Sequence, residues 1–150
     1  GEFCEFGTKA AVQLRSSRPV LVAGFLVGQE ATAPPGSSPF GLRGGDPAMF
    51  LMPTDQQFRQ DYVFLTPDTY FMDFVTIITP PGNEIILNEG PLDLGMALPV
   101  PGSDFVYTHV ELTRDGPQKL LGAMPFGIIV YAYDDFVSYA FTGGINLTKF

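Results

Sequence analysis

The stretch Met124–Leu147, MPFGIIVYAYDDFVSYAFTGGINL, constrains the fold more than any other. Its first part, Phe126–Tyr133, is apolar on both faces. Ile128, Val130 and Ala132 alternate with Ile129, Tyr131 and Tyr133. β-Branched and aromatic residues of this kind suit a strand, and a strand with two apolar faces has to be covered on both sides. The pattern predicts a central strand. Phe136–Phe141 returns beside it across Asp134-Asp135, where Asp supplies turn chemistry. Gly143-Gly144 then turns the chain into a short last strand.

The rest of the chain repeats this grammar of short strands and tight turns. Lys9–Arg15 alternates, with Val12 and Leu14 on one face, and reads as a strand. Val20–Val27 is a continuous apolar run bounded by Pro19 and Gly28, which predicts a second buried strand. A helix competes, but the β-branched residues, Gly24 and the short length argue against it. Gln29–Gly45 is punctuated by Pro and Gly and predicts a long surface loop. Ala48–Met52 is a short strand, and Thr54 is placed to N-cap one helical turn reaching Phe58. Asp61–Thr66 and Asp73–Thr79 are strands around a turn at Pro67-Asp68-Thr69. Pro80–Asn83 is a turn into a strand at Glu84–Asn88, so Phe74–Asn88 reads as a hairpin. Phe105–Thr113 alternates, with Val106, Thr108, Val110 and Leu112 on one face and Phe105, Tyr107, His109 and Glu111 on the other. Gln118–Gly122 is a further strand.

Roughly ten strands without a convincing helix predict an all-β fold, an antiparallel β-sandwich. Ile128, Val130, Val22, Val75, Ile77 and Val110 are expected in or beside its core. A weak echo between Val12–Phe25 and Val110–Tyr131, each an alternating strand followed by a Pro-led apolar strand, raises the alternative of two similar halves. Shared strand-and-turn punctuation explains it equally well. With 150 residues and 45% hydrophobic content, one domain with a real core is expected. Gly1-Glu2-Phe3 reads as a cloning scar, which leaves residues 4–150 as a single sandwich domain, whole or part of a longer surface protein.

Charge and motifs exclude more than they propose. Sixteen acidic against 8 basic residues give a net charge of −8, which opposes nucleic acid and anionic membrane surfaces. No run of about 18 apolar residues suggests a membrane span. The lone Cys4 either pairs with a cysteine upstream or is a free thiol. One histidine and one cysteine rule out the usual Cys/His zinc sites. His109 sits mid-strand without a nucleophile elbow to serve, and reads as a surface or half-buried strand residue. Asp134 and Asp135 are adjacent, so in a strand they would point to opposite faces and not face each other as a glycosidase pair does. No cofactor is expected. Calcium is the ion the chemistry allows, through loop carboxylates at Asp46, Asp104, Asp115, Asp134 and Asp135, although no ligand spacing accompanies them. Asn146-Leu147-Thr148 matches the N-glycosylation triplet.

Several elements together resemble the IgG Fc-binding protein N-terminal domain family. They are Gly45-Asp46-Pro47-Ala48-Met49, Asp55-Gln56-Gln57-Phe58, Asp61–Pro67, Pro125–Tyr133 and Val137–Gly144, with Pro19–Gln29 similar to an upstream Pro-led strand. The likeness runs from about Val12 to Leu147, and its motifs are sheet and turn residues. The family takes its name from a secreted mucosal protein that binds the Fc region of IgG, and similar domains occur in bacterial surface or secreted proteins. The resemblance implies an extracellular or cell-surface, non-catalytic domain and carries no set of contact residues.

Two functional readings follow. The first is a binding or adhesion module whose loops recognise a protein or glycan. Tyr70, Phe71 and Tyr107 are its candidate contact residues, since loop aromatics anchor protein partners or stack on sugars. The same three also suit partly buried edge positions. The second reading is a structural spacer, covalently joined to neighbouring domains and without a ligand of its own. Neither involves nucleic acid or membrane insertion, and a hydrolase is a distant third.

Overall fold

A computed structural model describes residues 1–28 and 45–145. Within them the chain forms ten strands: β1 (Ala23–Phe25), β2 (Met49–Leu51), β3 (Arg59–Thr66), β4 (Met72–Thr79), β5 (Ile85–Leu87), β6 (Gly90–Pro91), β7 (Leu98–Pro99), β8 (Val106–Leu112), β9 (Gly116–Asp134) and β10 (Val137–Thr142). A single 3-10 turn spans Asp55–Gln57. Thr54 is its N-cap residue as expected, and the Thr54 N–H donates to the Gln57 side-chain oxygen at 3.0 Å.

Strand β9 organises the molecule. It is 19 residues long, several times an ordinary strand, and it serves two layers in succession. Its first part, to Gly122, lies between β3 and β5, with β6 outside β5. Its second part, from Gly127, lies between β10 and β4, with β8 and then β7 beyond. All these pairings are antiparallel. The even-numbered side chains face inward in both parts: Gln118, Leu120, Phe126, Ile128, Val130 and Ala132 are at most 1% exposed. They meet Tyr62, Phe64, Val75, Ile77, Ile85 and Leu112 in one core cluster. Two layers thus close on each other as an antiparallel sandwich, joined by a strand that changes sheet at a corner.

The corner is at Ala123-Met124-Pro125. Pairing with β3 slips there, from Asp61 opposite Leu121 to Arg59 opposite Phe126. Side chains take over the interrupted ladder. The Gln60 amide donates to the Ala123 carbonyl at 2.7 Å. Buried Asn83 acts as a substitute strand: its Oδ1 accepts the Met124 N–H at 2.8 Å and its Nδ2 donates to the Met124 carbonyl at 3.0 Å. Asn83 Nδ2 also donates to Thr79 Oγ1 at 2.8 Å. Pro125 has no N–H to satisfy. The Tyr62 hydroxyl, packed edge-on against the Phe126 ring, donates to the Phe126 carbonyl. Every polar group freed by the bend that these bonds reach is therefore paired, which is what burial demands.

Several expectations are met in position and altered in partnership. Phe126–Tyr133 is central, but Gln118–Gly122 belongs to the same strand. The hairpin after it forms with Asp134 opposite Val137. Its loop residues are Asp135 and Phe136, Phe136 has φ 55°, and Asp134 Oδ1 accepts the Asp135 N–H at 2.7 Å. Val75, Ile77, Ile128 and Val130 are core residues, and Val110 packs against them.

Four expectations need correction. Lys9–Arg15 forms no strand and is almost wholly exposed. The Val20–Val27 run contributes only β1, paired with β2 in a separate two-stranded ribbon. Its Val20, Leu21, Phe25 and Val27 are exposed, and Val22 is half-buried outside the core cluster. The reason is that β9 already has both edges filled, by β3 and β10 on one side and β5 and β4 on the other, so an apolar run finds no place beside it. Phe74–Asn88 is not a hairpin. β4 and β5 do not pair with each other but follow one another along the same edge of β9, because Asn83 commits the intervening turn to the corner. The stretches that echo each other in sequence differ in structure, since residues 9–15 lack the strand that residues 106–112 form. The loop after Gly28, the short last strand beyond Gly144 and the Asn146 triplet fall wholly or mostly outside the described residues.

Candidate functional site: an aromatic outer sheet face

Alternation gives β4, β8 and the second part of β9 an outer face opposite the core. Register then decides which side chains meet there. Thr76 lies opposite His109 and Ile129, Phe74 opposite Glu111 and Tyr131, and Ile78 opposite Tyr107 and Gly127. The rings form a continuous row. Tyr107 meets His109 edge-on with centroids 5.5 Å apart, and His109 meets Tyr131 at 6.5 Å. Phe74 stacks on Tyr131 at 5.4 Å and touches Tyr133 at 6.3 Å. His109 is exposed and the other four are half-buried.

The two ends of the row are built differently. At one end Phe58 covers Gly127, where an added Cβ would come within 2.3 Å of the Phe58 ring. Phe58 meets Phe105 edge-on at 5.7 Å, and with Pro80, Pro125, Asp55 and Gln56 they line a depression of about 270 Å³. At the other end Gly45, at φ 74°, sits against Tyr133 and Ser138 and donates its N–H to the Asp134 carbonyl at 3.1 Å. A side chain at Gly45 would strike both neighbours, and the left-handed backbone there favours glycine.

The polar tips of the row are coupled. His109 Nδ1 is 2.8 Å from Thr76 Oγ1 and 3.2 Å from the Tyr131 hydroxyl. A neutral ring with its proton on Nε2 lets both hydroxyls donate toward Nδ1. Partial burial agrees, since it lowers the His109 pKa below the usual 6.5. Burial raises the Tyr131 pKa, opposed by the Thr76 hydroxyl. Burial and the neighbouring Tyr131 push Tyr133 up to about 12. Among the described residues, Glu111 is thus the one charged side chain in the register that Thr76, Phe74 and Ile78 define on this face. Such a surface offers flat apolar area with hydrogen-bonding tips, the composition that protein interfaces favour.

The three aromatics singled out from sequence do not converge. Tyr107 lies in the outer row. Tyr70 packs edge-on against Tyr139 with centroids 4.8 Å apart, on the inner side of β10. Phe71 is 51% exposed beside it. These two precede Met72, where β4 begins, whereas Tyr107 pairs with Ile78 near its other end. Beneath Tyr70, the Tyr139 hydroxyl donates to the carboxyl of buried Asp73. Burial raises the Asp73 pKa, opposed by that bond and assisted by Asp115. Sequence reasoning missed Phe74, His109, Tyr131 and Tyr133 as one surface. The alternation of 105, 107 and 109 and of 129, 131 and 133 carried the signal, but the strand between them and its register were not legible. Among the described residues no three His, Cys, Asp or Glu side chains gather as metal ligands. No helix among them is long and apolar enough to cross a membrane.

The layers define an all-β domain. The family model described as IgGFc binding protein matches residues 1–132. The chain belongs to that family. Comparison with curated proteins and with solved structures found no match.

Proposed function

We propose that this chain is a non-catalytic, extracellular or cell-surface module that binds a protein, and that the outer aromatic face is its recognition surface. The observation that carries the reading is the row Tyr107–His109–Tyr131–Phe74–Tyr133, half-open and polar-tipped on the side of the sheet away from the core. Rigid aromatic side chains on strands present contact area at low entropic cost, and a family named for binding Fc supports a protein ligand. His109 Nδ1 is engaged by Thr76 and Tyr131 and not by a serine or cysteine. Tyr70 and Phe71 form a separate, smaller contact zone in this reading. The test is surface plasmon resonance against IgG Fc, a panel of secreted proteins and a glycan array, with and without calcium. The Tyr107→Ser/Tyr131→Ser double variant should lose the protein ligand at least tenfold while Phe71→Ser loses less. Equal affinity of the double variant and the parent would contradict the assignment.

A second reading, a spacer packed against neighbouring domains, is favoured by the β1–β2 ribbon. There Leu21, Phe25, Met49 and Leu51 expose an apolar face. Apolar patches of this kind on a folded surface mark contacts.

A further inference from the structure

We infer that the partner brings an arginine side chain to the aromatic face, held beside the Tyr131 ring with Glu111 as its counter-ion. The inference rests on the binding reading above and specifies the chemistry of that surface. Strands β4, β8 and β10 and residues 127–134 of β9 contain no lysine or arginine. The acidic groups nearby are one-sided. Glu111 is exposed on the outer face itself, opposite Phe74. Asp46 and Asp135 lie at the Tyr133 end, and Asp55 lines the depression at the Phe105 end. Arg59, close to that depression, is committed to Asp61, with its Nη2 3.2 Å from the carboxylate.

Among the described residues, the charged groups around this aromatic face other than Arg59 are carboxylates, and such a face attracts cations through the negative faces of its rings. Guanidinium fits better than ammonium, because its plane stacks on a ring while its N–H fork engages a carboxylate. His109 then sets a pH limit. It sits between Tyr107 and Tyr131, and the groups facing it are Thr76 from β4, Tyr131 from β9, and Tyr107 and Glu111 of its own strand. Neutral, it accepts from the hydroxyls and leaves the face free of positive charge. Protonated, it repels an incoming guanidinium and competes for Glu111. Binding therefore weakens as pH falls below the usual histidine range.

The experiment is a 15N-edited NMR titration of the intact domain with the acetylated, amidated peptide Gly-Arg-Gly and its neutral citrulline analogue. The arginine peptide should move the amides of Thr76, His109 and Tyr131 and bind about tenfold tighter than citrulline, a difference of the size one cation–π contact supplies. Glu111→Gln should reduce that advantage without altering citrulline binding, and His109→Gln should remove the weakening at pH 5. Equal response to both peptides, or shifts confined to other surfaces, would overturn the inference. If Tyr107→Ser/Tyr131→Ser abolishes protein binding while the arginine peptide gives no response, the cation is refuted and the surface stands. If that double variant keeps full protein binding, the surface itself falls, and the cation with it.

Discussion

The two faces of one sheet make the most instructive comparison in this molecule. β4, β8 and the second part of β9 supply alternate residues to each. The inner set, Val75, Ile77, Ile128 and Val130, is aliphatic and at most 1% exposed. The outer set is aromatic, tipped with hydroxyl and imidazole groups, and partly open. Both are apolar by composition, so hydrophobicity alone does not separate them. Shape and polar tips do. Branched aliphatics fill a closed layer at crystal-like density, whereas Tyr and His keep one end in water. The inner face therefore serves folding, and the outer face stays partly open to solvent.

The largest effect should come from placing a charge on the inner face. Val130→Asp puts a carboxylate opposite Val75 and Phe141, where both neighbouring strands seal it from water. An unpaired buried charge costs more than a domain of this size can spare, so no cooperative unfolding transition should remain by circular dichroism. A cooperative melt in that variant would erase the distinction between the faces.

Asn83→Ala should come next. It strips Met124 of partners for both its N–H and its carbonyl at the corner. Leaving buried polar groups unsatisfied costs about 1–3 kcal/mol each, so urea denaturation should report a loss of about 2–4 kcal/mol. A loss under about 0.5 kcal/mol would mean that water or another group replaces the amide.

Asp73 sharpens the comparison, because it is a titratable group on the inner face. Its folded pKa is raised, chiefly by burial. The stability this group contributes is thus fully present below the unfolded value of 3.8 and is lost as pH rises through the folded value. Asp73→Asn keeps an acceptor for the Tyr139 hydroxyl and removes the buried charge. It should raise the thermal midpoint at pH 7, with the gain shrinking toward pH 3. A lower midpoint at pH 7 would show that the ionised carboxylate is worth its burial.

His109 gives the opposite dependence. Its folded pKa is lowered by burial. Its contribution is present above the unfolded value of 6.5 and is lost as pH falls through the folded one. Scanning calorimetry between pH 7.5 and 5 should show a decline that His109→Gln flattens. An unchanged decline would place its origin elsewhere.

How much of this could be read from the chain follows from what alternation encodes. It identified the inner residues of β4, β8 and β9, because a strand with a buried face repeats every two residues. It also placed Tyr107 and His109 together. It could not show that Gln118–Tyr133 continues through Pro125, since proline normally ends a strand and the Asn83, Gln60 and Tyr62 side chains that hold the corner are distant in sequence. Nor could it show that Val20–Val27 stays outside. That run looks as buried as Phe126–Tyr133, and its exclusion depends on which strands already flank β9. The aromatic row was hidden for the same reason. Tyr107 and Tyr131 come to flank His109 only when Ile78, Thr76 and Phe74 are aligned between the two strands.

The division of labour between the faces is tested most directly by unfolding a variant that strips one end of the outer one. Tyr107→Ser combined with His109→Ser removes the half-buried end of the row and its exposed neighbour and leaves the inner layer untouched. Chemical denaturation of this double variant beside the parent should retain a single cooperative transition, with a loss of no more than about 2 kcal/mol, in the range of partly exposed substitutions. Loss of the cooperative transition, as expected for Val130→Asp, would contradict the division and make the aromatic face a second core.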